Sequence, residues 1–66
     1  MTLEKLLAII MPSEMFSIFS YKEDKLVFVG TQNDNGSYLA LKPYLKKEVK
    51  VITELNGKLH IVLNNK

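Results

Sequence analysis

The chain has 66 residues, and neither cysteine nor tryptophan occurs in it. At 47% hydrophobic and 24% charged it is apolar enough to hold a core and too apolar for a disordered segment. Its length allows one domain at most and excludes multidomain enzymes, and the lack of cysteine excludes disulfides and thiolate metal or redox sites.

Nine basic residues against seven acidic ones give a net charge of +2, and all nine are lysine. Sequence-specific DNA reading is disfavoured, because the bidentate contacts to guanine and phosphate are made best by arginine. No apolar run approaches the roughly 20 residues of a membrane span. Glu4 falls in the first turn and no small-residue cleavage site follows residues 6–11. No signal peptide is therefore expected, and the expected location is the cytoplasm.

Residues 2–11 read as a helix. Thr2 is placed to cap it, and Leu3, Leu6, Leu7 and Ile10 make one apolar stripe at helical spacing. Pro12 ends it. Residues 15–21 read as a strand, Lys22-Glu23-Asp24-Lys25 as a charged turn, and residues 26–30 as the returning strand. A loop of those four residues would set Tyr21 against Leu26, Phe19 against Phe28 and Ser17 against Gly30. The other face would then carry Phe16, Ile18, Val27 and Val29. Both faces of this hairpin are apolar, and one helix covers only one of them.

Residues 31–37 are a loop on composition. Residues 38–41 are expected to be extended, because a continuous helix would place Pro43 in its interior and Lys42 precedes proline. One helical turn opened by Pro43 follows. Residues 48–55 and 58–64 alternate as strands around Asn56-Gly57. A two-residue turn there would pair Val51 with Val62 and Thr53 with His60, mixing the apolar and polar sets. A three-residue loop 55–57, with Gly57 in a bulge, is expected instead, giving Val51–Ile61, Val49–Leu63 and Glu54–Lys58. The expected fold is α+β: an N-terminal helix on an antiparallel sheet of two hairpins, one domain over residues 1–66.

Little in the chain points to catalysis. His60 is the single histidine, and no spacing supplies it with a nucleophile or a set of metal ligands. Gly30, Gly36 and Gly57 lie too far apart for a phosphate loop. A non-enzymatic protein without metal or cofactor is expected. The best place for a polar ligand is the tyrosine–lysine stretch Tyr38, Lys42, Tyr44, Lys46 and Lys47, with Tyr21 as a further candidate; such a stretch could also hold single-stranded nucleic acid weakly. The interface candidates are Phe16, Ile18, Phe19, Tyr21, Val27, Phe28 and Val29 of the doubly apolar hairpin. A domain of about 60 residues buries only about 60% of its unfolded surface, so self-association is expected.

The layout resembles small phage and prophage proteins of low-GC Gram-positive bacteria. The features that carry the resemblance are the Leu3-Glu4-Lys5-Leu6-Leu7 helix, the aromatic strand ending in Tyr21, and Leu26-Val27-Phe28-Val29-Gly30. Tyr44-Leu45 before Val49-Lys50-Val51-Ile52, and Leu59-His60-Ile61-Val62-Leu63, complete it. The resemblance implies an accessory protein of a mobile element, acting by binding. Inhibition of a host defence system is the implied role, by binding a host protein or sequestering a nucleotide signal.

Overall fold

The computed structural model describes residues 1–64. Its elements run α1 (Leu3–Leu7), β1 (Phe16–Ser20), β2 (Lys25–Gly30), α2 (Ser37–Leu41), a 3-10 turn (Lys42–Tyr44), β3 (Val49–Leu55) and β4 (Lys58–Leu63). The α+β class and the two hairpins are as expected. The sheet, however, is mixed rather than antiparallel, with strand order β2-β1-β4-β3. Each hairpin is antiparallel, but β1 and β4 join in parallel at the centre. The chain leaves β2 at one edge, passes through α2, and re-enters as β3 at the far edge. That crossover makes β1 and β4 the inner pair, which fits the near-continuous burial of β1.

Both helices lie on one face of the sheet. Leu3, Leu6, Leu7 and Leu41 pack there against Phe16, Ile18, Ile61 and Leu63, all of them buried. Phe16 and Phe28 stack with ring centroids 5.2 Å apart. Parallel register puts Ile18 beside Ile61 and Ser20 beside Leu63, so the core positions of the two inner strands coincide.

Helix α1 is shorter than the expected 2–11. Thr2 does cap it, its hydroxyl accepting from the Lys5 N–H at 3.4 Å. The N–H groups of Leu3 and Glu4 donate to the carbonyls of Lys47 and Leu45, so the first-turn donors are satisfied by the segment before β3. At the other end the Leu7 carbonyl accepts from Gln32 Nε2 at 3.1 Å rather than from the next helical turn. Beyond it Ile9 and Met11 point to solvent.

Residues 38–41 are helical, not extended. Helix α2 starts early, after Gly36 in the left-handed region (φ 80°), so Pro43 falls in the following 3-10 turn, where its missing N–H costs little. Helical spacing puts Ser37 and Leu41 on one face, and both are buried. An extended segment would also put the pair on one face but about 13 Å apart, against about 6 Å in the helix.

Two register shifts sort the strand faces. In the first hairpin the pairs are Ile18–Phe28 and Phe19–Leu26, so Val27 is an extra residue. The expected pairing of Phe19 with Phe28 does not form; Val27 and Phe28 both turn towards the core. In the second hairpin the expected three-residue loop is replaced by a two-residue turn, with Leu55 opposite Lys58 and φ of 55° at Asn56 and 76° at Gly57. Val51 pairs with Val62 and Thr53 with His60. A shift at Lys50 then restores Val49 opposite Leu63, so the core parity is recovered by a bulge in the strand instead of one in the turn.

Ile18→Ala is expected to cost about 2–5 kcal/mol in urea unfolding, since it opens a cavity between the inner strands and the helices. A loss of less than about 1 kcal/mol would place Ile18 outside the core. Gly57→Ala is expected to cost about 1–2 kcal/mol through its left-handed backbone; a neutral substitution would contradict the two-residue turn.

Candidate functional site

The sheet face opposite the helices is open. Parallel and antiparallel pairings align two rows of side chains across it. Leu26, Phe19, Val62 and Val51 form one row, through the pairs Phe19–Leu26, Phe19–Val62 and Val51–Val62. Val29, Ser17, His60 and Thr53 form the second, through Ser17–Val29, Ser17–His60 and Thr53–His60. Leu26, Val29 and Val51 are exposed, and Phe19 and Val62 are half-buried. The first row is wholly apolar and crosses all four strands, about 14 Å from β2 to β3 at normal strand spacing.

Within the second row Ser17 Oγ and His60 Nδ1 are 2.9 Å apart. Sequence spacing gave no sign of this contact: the two residues lie 43 positions apart and meet through the parallel pairing. Ser17 is 8% exposed and its hydroxyl is engaged with the ring. The pair sits on the flat of the sheet, not in a cleft. Its chemical effect is to pair the Ser17 hydroxyl with one ring nitrogen of His60 beside the apolar row.

The interface candidates divide between the two faces. Phe16 and Ile18 are buried in the chain's own core, and Val27 and Phe28 pack against it, so the helices already cover them. Phe19, Tyr21 and Val29 remain on the open side by strand alternation. The Lys50 ammonium sits 4.6 Å from the Tyr21 ring centroid, a cation–π pair between the residue after β1 and β3.

The tyrosine–lysine candidates do not form one site. Tyr38 is 65% exposed on α2, while Lys42, Lys46 and Lys47 project into solvent. Tyr44 packs against the core and its hydroxyl donates to Glu23 Oε2 at 2.7 Å. That bond holds the Glu23 carboxyl below its ordinary range, with a Ser20 hydrogen bond and the Lys25 and Lys22 charges acting in the same direction against desolvation. It also raises the Tyr44 phenol, with desolvation and the Glu23 charge adding to the effect.

A cleft of about 280 Å³ opens on the helix side. Leu7, Ala8, Leu41 and Leu45 form its walls, and Gln32 and Ser37 its polar floor. Glu4 and Tyr38 complete the lining. None of the three lysines of the 42–47 stretch lines it. Among the described residues no group of three His, Asp or Glu side chains converges as a metal site, and no helix is long and apolar enough to cross a membrane.

The Tyr44–Glu23 bond has a definite pH signature. Glu23's contribution is present above the ordinary carboxyl pKa and is lost as pH falls through its lowered folded value. Tyr44's is present below the ordinary phenol pKa and is lost as pH rises through its raised folded value. Tyr44→Phe is expected to move the Glu23 titration midpoint upwards in carboxyl-carbon NMR. An unmoved midpoint would show that the phenol is not the cause.

Compared with known protein families, curated proteins and solved structures, the chain matches none.

Proposed function

We propose that the protein is a non-enzymatic binding protein that self-associates through its open sheet face. The observation that carries this reading is the apolar row Leu26–Phe19–Val62–Val51, which spans the sheet with no helix over it. A second copy is the occupant with the matching chemistry, since sheets pack face to face about 10 Å apart when both inner faces are apolar. The Ser17–His60 bond lowers the cost of such packing, because the Ser17 hydroxyl and His60 Nδ1 stay paired with each other when water leaves the face. A shallow apolar sheet with Ser17 nearly buried suits binding better than catalysis, which needs an accessible nucleophile beside a substrate pocket.

The resemblance to phage and prophage proteins suggests a target in the host cell. A host protein suits this chain better than a nucleotide signal. The charged side chain at its cleft is the Glu4 carboxylate, which repels phosphate, and Lys42, Lys46 and Lys47 stand apart from that cleft.

Sedimentation velocity over a concentration series tests the reading. The native chain is expected to shift to a discrete oligomer as concentration rises, and to keep doing so at high salt, because the contact is apolar. Leu26→Glu combined with Val51→Lys is expected to stay monomeric with an unchanged circular dichroism spectrum, since both positions are solvent-exposed. A native chain that sediments as a monomer at every concentration would overturn self-association. Tight, strongly salt-dependent binding to single-stranded oligonucleotides would favour nucleic-acid binding instead.

A further inference from the structure

We propose that the cleft between α1 and α2 binds a small organic cation with an apolar body, of the aryl- or alkylammonium class. The cleft lies on the helix side of the sheet, so this site is separate from the open face and does not depend on self-association. Its volume of about 280 Å³ is small for a ligand site and corresponds to about nine water volumes. That is room for one ring and a short chain, not for a nucleotide or a peptide.

The lining selects the chemistry. Leu7, Leu41 and Leu45 offer an apolar wall anchored in the core. The polar donors of the lining are partly engaged within the chain: Gln32 Nε2 donates to the Leu7 carbonyl, and Ser37 Oγ donates to the Gln32 backbone carbonyl at 2.7 Å. Of the lining residues Glu4 alone carries a charge, and among the described residues its carboxylate has no ion pair. Lys5, its neighbour on α1, does not line the cleft.

Tyr38 adds the second element. The residue is 65% exposed and lines the same cleft. An aromatic face attracts a cation through its quadrupole, and a carboxylate attracts it through its charge. A ligand with its apolar part against the leucines and its ammonium near Glu4 and Tyr38 satisfies all three features. A neutral ligand gains nothing from the exposed carboxylate, and an anion is repelled by it.

Phenethylammonium, phenylethanol and phenylacetate share one ring and differ in charge, so they make the test. Each is titrated into the full chain and followed by amide chemical shifts. Phenethylammonium is expected to move the amides of Leu7, Tyr38 and Leu41. It is expected to bind about three- to fivefold more tightly than phenylethanol, the range an exposed charge contact supports. Phenylacetate is expected to bind most weakly. Glu4→Gln is expected to reduce the preference for ammonium over alcohol to the part that Tyr38 supplies. Tyr38→Leu is expected to weaken ammonium binding about threefold, in the range of an exposed cation–π contact. Both side chains are exposed and outside the core, so the variants are expected to keep the native amide spectrum away from the cleft. Equal binding of ammonium and alcohol by the native chain would overturn the proposal. So would shifts scattered away from the cleft, or no shift at the solubility limit of the cation.

Discussion

The parallel contact between β1 and β4 is the constraint on which the molecule depends. It joins two hairpins that would each be marginal alone, and it fixes which side chains share a face. With Ile18 beside Ile61 and Ser20 beside Leu63, the helix-covered face is built from matching positions on both inner strands. The same register brings Ser17 to His60 and Phe19 to Val62 on the other side. A slip of one residue would send Ile18 or Ile61 out of the core and break the apolar row at once. Core and open apolar row are thus two consequences of one pairing.

The two hairpins reach that register by similar means. Each has a tight turn whose local preference gives the wrong parity, and each corrects it with one extra residue in an outer strand. Val27 does this in β2 and Lys50 in β3. Bulges in edge strands are tolerated because one side of the ladder is free. The correction at Lys50 also places its ammonium over Tyr21. Edge irregularities of this kind also discourage unlimited strand addition, which favours face-to-face over edge-to-edge association.

What the sequence revealed was local. Thr2 as a cap, the leucine stripe, both hairpins and the α+β class depend on neighbouring residues, and short-range spacing carries them. At Asn56-Gly57 the strand pattern demands a parity that the two-residue turn itself does not supply, and the demand is met at Lys50, several residues away. The helix at 37–41 was hidden by Pro43, whose penalty disappears once the helix begins at Ser37 and ends before it. The parallel pairing was invisible because it joins residues about 43 positions apart, as in Ser17–His60, and no periodicity encodes it. The open face and the cleft could not be foreseen without it. The tyrosine–lysine stretch looks like a site in one dimension, yet it scatters: Tyr44 packs against the core with its hydroxyl on the exposed Glu23, and of the stretch Tyr38 alone reaches the cleft.

One sheet face is covered by the chain's helices, and the proposed function gives the other to a second copy. Solvent paramagnetic relaxation of side-chain protons measures this directly. In dilute solution Leu26, Phe19, Val62 and Val51 should relax strongly, while Leu3, Leu6, Ile18 and Ile61 remain shielded. On concentration the first set alone should lose its relaxation. Strong relaxation of Ile18 and Ile61 would contradict the fold, and a first set equally exposed at all concentrations would contradict the binding face.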